Sequence, residues 1–141
     1  MSQARAFRVG VRNLIKWLPI VWTDRDYDHD YLYRIVHYKM SSMEKFFNSK
    51  NTYSVEAPQI AEEIKEAKDK LNNMINSVHS NKVDSLPDGF ISIENRKWHV
   101  NRNSPVYQEW KEVNRKAEEQ ELNDMKEAFK IIAEKSQGWW D

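Results

Sequence analysis

The sequence predicts a mainly α-helical protein: a compact bundle of four or five helices with a short β-hairpin near residues 90–100, forming one domain across 1–141. Three observations lead there. Apolar residues return every three or four positions along most of the chain, the period of a helix face. Prolines and glycines punctuate those stretches at positions where helices start or stop. A length of 141 residues, 40% of them apolar, suits a single domain with a real core.

The first helix covers residues 3–17. Ala4, Phe7, Val11, Leu14, Ile15 and Leu18 recur at helical spacing. Arg5, Arg8, Arg12 and Lys16 fall on one flank beside that stripe, within about 80° of arc. Pro19 is expected to stop the helix, because it lacks an amide donor and restricts Leu18 before it. The first 22 residues hold those four cations and no acid, which imitates an organellar presequence. The run from Trp17 to Trp22 offers no small-residue cleavage site, so the stretch reads as part of the domain. Four cations on a helix flank are ordinarily a solvated surface. Contact with phosphates or an anionic membrane is the sharper reading.

A second helix is expected from Thr23, as its cap, to about Asn48, with Asp24 and Asp26 in a first turn where negative charge suits the dipole. On that helix Leu32, Ile35, Val36, Met43 and Phe46 form an apolar stripe, and Arg25, Asp28 and Lys39 fall inside it. Charges facing a core must be paired or line a cavity, since burying an unpaired ion costs several kcal/mol. Arg25 and Asp28, three apart, can meet each other. Lys39 lies eleven residues beyond Asp28, about 16 Å along a helix, and needs another partner. Either Lys39 extends its head to water beside a structural Arg25–Asp28 pair, or the three line a polar pocket.

The third helix is the clearest, with Ile60, Ile64, Ala67, Leu71, Met74 and Val78 on one face and Pro58 in its first turn. Pro87, Asp88 and Gly89 make a turn. Phe90, Ile91 and Ile93, then Trp98 and Val100, pair as a hairpin about Asn95, which needs helices to pack on. Ser104-Pro105 starts the last long segment. Val106, Trp110, Val113 and Ala117 share one face, while Leu122, Met125, Phe129, Ile132 and Ser136 continue the spacing after a phase slip near Gln120. That slip predicts a kink or two consecutive helices, and Gly138 closes the element.

Several function classes lose ground at once. Lys plus Arg and Asp plus Glu both number 22, which removes the long-range field of a general nucleic-acid binder. The absence of cysteine excludes disulfides, thiolate metal sites and a cysteine nucleophile, and suits a cytoplasmic setting. No apolar run approaches a membrane span. Asp24, Asp26, Asp28 and Asp30 alternate like a calcium loop, but His29 and Ile35 stand where glycine and glutamate are required. The four histidines lack ligand spacing, so no metal site and no cofactor are expected. Nothing singles out a catalytic carboxylate pair or any other catalytic residue.

The segment Lys16-Trp-Leu-Pro-Ile-Val-Trp-Thr-Asp-Arg-Asp-Tyr-Asp28 resembles a family of small tailed-phage proteins, as do Lys39-Met-Ser-Ser-Met-Glu-Lys45, Ile60-Ala-Glu-Glu-Ile64 and the closing Trp139-Trp140-Asp141. Tyr27 and Thr23 depart from the family's usual tryptophan and lysine, and the likeness is loose between Ser80 and Leu122. The resemblance implies a phage origin, a helical fold and hence host cytoplasm, and brings no activity with it.

The leading expectation is a non-catalytic accessory protein that binds a small anionic, nucleotide-type ligand, sequestering a signal of host defence. Its ligand-binding residues would be Trp22, Arg25, Asp28, Tyr31, Lys39, Trp139 and Trp140, the aromatics stacking and the cations holding phosphate. The alternatives are a protein-interaction module or homo-oligomer with tryptophan-anchored interfaces, whose partner would be a host protein or a second copy, and a carboxylate-based phage enzyme.

Overall fold

The computed structural model describes residues 3–83, 91–94 and 96–140. Among these lie four α-helices and one two-stranded antiparallel sheet, a mainly α architecture with a small hairpin as expected. The helices are α1 (Gln3–Val21), α2 (His29–Phe47), α3 (Ala57–Ile75) and α4 (Pro105–Lys135); the strands are β1 (Ile91–Glu94) and β2 (Lys97–Val100). Short 3-10 turns occupy Ser80–Lys82 and Ser136–Gly138. The contacts divide into two compact units, residues 1–65 with 140–141 and residues 66–139, the division falling within α3.

In the first unit, α1 runs one turn past the stop expected at Pro19. Proline removes one donor, which would have served Ile15, yet so near the end of a helix little remains to be disrupted. Trp22 N–H still donates to the Leu18 carbonyl at 3.0 Å, and the Thr23 hydroxyl donates to Ile20 O at 3.3 Å, satisfying the last carbonyls. Thr23 therefore finishes α1 and does not cap α2.

The second helix begins at His29, its cap five residues later than Thr23. Its cap is Asp28, extended at φ −124° and ψ 115°, whose carboxylate accepts from the Asp30 amide at 3.0 Å. Aspartates bond readily to nearby backbone in non-helical conformations, and the run at 24, 26 and 28 spends itself in turns. Asp24 Oδ1 accepts from the Arg25 amide at 2.9 Å, and Asp28 N–H donates to Arg25 O at 3.2 Å. The C-terminal cap, Asn48, agrees with the expected end. Met40, Phe47, Ala57, Ile60, Ala61 and Ile64 are the buried apolar side chains of this unit.

In the second unit Ala67 and Leu71 continue the predicted face of α3 and are fully buried. The helix closes with Val78 N–H donating to Asn73 O at 2.9 Å and Ser77 N–H to Met74 O at 3.2 Å, the paired bonds of a Schellman cap. The cap's left-handed residue is Ser77, at φ 47°, where glycine is the usual occupant.

The hairpin forms in the predicted place, pairing Ile91 with Val100, Ser92 with His99, Ile93 with Trp98 and Glu94 with Lys97. Arg96 in its turn takes φ 61°, the sign such two-residue loops demand. Phe90, Asn95 and the Pro87-Asp88-Gly89 turn lie outside the described residues.

Ser104 occupies the N-cap of α4 with Pro105 in the first turn, although its hydroxyl makes no capping bond. The two consecutive helices that the slip near Gln120 offered as one expectation are not formed: α4 is one continuous helix of 31 residues. Val106 and Val113 of the expected stripe are exposed; Tyr107, Trp110, Asn114 and Ala117 are half-buried and are followed at helical steps by Glu121, Asp124 and Ala128. Those last three are the buried residues of the helix. Two inner positions of that covered face are carboxylates, and they look like surface residues in the sequence.

Candidate functional site

Two features stand apart from ordinary apolar packing. One is a buried polar cluster in the second unit; the other is an uncovered helix face in the first.

The cluster is built on Glu121 and Asp124, each 6% exposed, three residues apart on α4. Glu121 accepts from the backbone amides of His79 at 3.0 Å and Ser80 at 2.8 Å, and from the Ser80 hydroxyl at 3.1 Å. It thereby satisfies the free amides that open the Ser80–Lys82 turn. Asp124 accepts from Asn73 Nδ2 at 2.7 Å and Gln120 Nε2 at 3.2 Å, and pairs with His79 Nε2 at 2.8 Å. Burial pushes the Asp124 carboxyl up, but hydrogen bonds from His79, Asn73 and Gln120 outweigh it and hold the group below its ordinary value. Lys70 of α3 reaches Glu127 of α4, and that hydrogen bond raises the lysine. No group of three or more side chains among the described residues is placed to hold a metal ion. With both oxygens of each carboxylate engaged by scaffold groups, the carboxylates fasten the segment after α3 to the middle of α4.

The second feature is α1. None of its residues is buried over 19 positions. Phe7 is 75% exposed, Leu14 73% and Ile15 68%, with Val11, Leu18 and Val21 also exposed. Phe7, Val11, Leu14, Leu18 and Val21 step by four, three, four and three, the spacing of a helix–helix seam. At 100° per residue they and Ile15 span about 120° of the helix. Arg5, Arg8, Arg12 and Lys16 border one edge of that band. Among the described residues no ion pair engages Arg8, Arg12 or Lys16. A groove lined by Ala4, Phe7, Arg8, Val11, Arg12 and Ile15 runs where the apolar band meets the cations. Beyond the other edge α1 packs on α2: the rings of Trp17 and Tyr38 lie 5.2 Å apart, and the Tyr38 hydroxyl donates to Lys16 O. No helix among the described residues is long and apolar enough to cross a membrane.

The residues expected to bind an anion are placed otherwise than the helical wheel implied. Arg25 is exposed in the turn before α2, and its guanidinium donates to the neighbouring Asp24 carbonyl at 2.7 Å. Asp28 is the half-buried cap of α2, committed to the Asp30 amide. Lys39 is exposed. The three do not face a core: with the helix starting at His29, the wheel drawn from Thr23 no longer applies to Arg25 or Asp28. Tyr31 is half-buried in the first turn of α2, while Trp22 and Trp140 are exposed. Trp139 is buried at 8%, in the second unit. Glu121 and Asp124 were missed entirely. Their only signal was that they continue the helical steps of Trp110 and Ala117.

No family model, curated protein or solved structure matches the chain.

Proposed function

We propose that the protein is a non-catalytic interaction module that docks a protein partner on the exposed apolar face of α1. The observation that carries this reading is one helix of 19 residues with no buried side chain and a continuous apolar seam in water. Scattered exposed hydrophobic residues are ordinary, but a contiguous band on a regular helix marks a site of association. Phe7, Leu14 and Leu18 supply large side chains towards its centre, and a polar cationic rim beside an apolar middle is the usual anatomy of an interface.

The nucleotide-ligand reading rested on Arg25, Asp28 and Lys39 turning inward, and loses its support with that geometry. The interaction reading needs only what α1 displays. A photo-crosslinking residue in place of Leu14, in the cell that expresses the chain, tests it. A protein adduct of discrete mass is expected, lost when Phe7→Gln is added. Adducts with lipid alone, or none, would refute the proposal.

A further inference from the structure

We infer that the occupant of the α1 face is an amphipathic helix of another protein carrying acidic residues along one edge, crossing α1 closely at Gly10. This rests on the interaction reading above and names the partner's chemistry.

The charge pattern comes first. Each edge of the apolar band offers a partner something different. On one edge stand Arg5, Arg8, Arg12 and Lys16, in steps of three and four over about 16 Å. No acid occurs among the first 22 residues, and among the described residues no ion pair engages Arg8, Arg12 or Lys16. The other edge has no charge and leads to Trp17, which packs on Tyr38 of α2. A helix seated on Phe7, Val11, Leu14 and Leu18 therefore meets cations along one of its sides only. Acids at matching steps on that side would pair; acids on its far side would have no counter-charge. An α1–α1 pairing of two copies brings cations and no acids to the seam, so like charges weigh against it. A lipid surface could also take an apolar face with cations beside it, and the vesicle arm of the test below separates the two occupants.

The glycine is a second, independent observation. Gly10 lies within α1 on the uncharged edge of the band, next to Phe7 and Leu14 in the helix lattice. A Cβ built there meets nothing within 4 Å. Glycine inside a helix destabilises it by about 1 kcal/mol relative to alanine. Nothing in the packing of the described residues calls for the missing side chain. A partner helix whose backbone approaches at that point does, since small residues let helix axes come close.

The test is a display library of 21-residue helical peptides with leucine fixed at the a and d positions of each heptad and either Glu or Lys allowed at every e and g, selected on the full-length chain. Glutamate is expected to be enriched at least tenfold along one edge, with no preference along the other. Selection on the Arg8→Glu/Arg12→Glu variant should turn that edge towards lysine. Gly10→Leu should weaken the selected peptides at least tenfold while raising the melting temperature of the chain itself. Enrichment without an edge bias, or with acids on both edges, would overturn this inference and leave the interaction module standing. A dimer in sedimentation that Phe7→Gln dissolves would put a second copy in the groove and overturn it likewise. No enriched peptide, with binding instead to phosphatidylglycerol vesicles, would overturn both.

Discussion

If the α1 face is free for a partner, its large apolar residues contribute almost nothing to folding. Phe7→Gln and Leu14→Gln test this cleanly, because glutamine matches leucine closely in helix propensity and leaves mainly the burial to be measured. Phe7 is 75% exposed and Leu14 73%, so only about a quarter of each side chain is removed from water. Full burial stabilises by about 1.5–3 kcal/mol, so each substitution should cost roughly 0.4–0.8 kcal/mol. Ile64, fully buried, is the contrast: Ile64→Ala should cost about 2–5 kcal/mol through lost transfer energy and a cavity. Urea unfolding followed by tryptophan fluorescence measures all three, and the six tryptophans give ample signal. A loss above about 2 kcal/mol for Phe7→Gln or Leu14→Gln would mean that the chain itself covers the face. The docking proposal would then fall with it.

Asp124→Ala would strand donors from Asn73, His79 and Gln120; His79 and Gln120 can turn partly to water, so a loss of about 2–3 kcal/mol is expected in the same unfolding assay. The Asp124 carboxyl is held below its ordinary value, so the unfolded chain takes up its proton first as pH falls. Stability from this site is thus full above about pH 4, the ordinary aspartate range, and declines as pH drops through the lowered folded value. Asp124→Asn should flatten that acid-side decline in a pH series of melting temperatures. Ser77→Gly relieves a left-handed serine in the Schellman cap and should stabilise by about 1 kcal/mol; a loss would contradict the cap geometry. Asp28→Ala removes the cap of α2 and should cost about 1 kcal/mol, whereas Asp26→Ala, in the exposed turn, should be neutral within about 0.5 kcal/mol.

Periodicity alone was enough for the helices, because an amphipathic stripe is a local property of the chain. The face of α3 through Ile60, Ile64, Ala67 and Leu71 is the clearest instance, and the hairpin's strands were legible from short apolar alternation. Boundaries were less so. Thr23 and Asp28 are both good caps, and which one opens α2 depends on how the intervening aspartates bond to their own backbone. Arg25 and Asp28 point otherwise than expected for that reason, since a start displaced by several residues changes which way early side chains point. Lys39 is exposed because the covered side of α2 includes Met40 and Phe47, while Leu32 and Phe46 of the expected stripe are exposed.

Composition and periodicity by themselves determined that this chain is mainly helical, where its apolar stripes run and that α1 carries a cationic flank. Tertiary structure decided which stripes are covered. The stripe of α3 and that of α1 look alike as sequence, yet one is buried and the other faces water. It also decided that Glu121 and Asp124 belong inside α4's packed face. A stripe records only that a residue would gain from leaving water, and a carboxylate only that it needs donors. Whether a neighbour arrives to supply either is a fact about distant parts of the chain, or about another molecule.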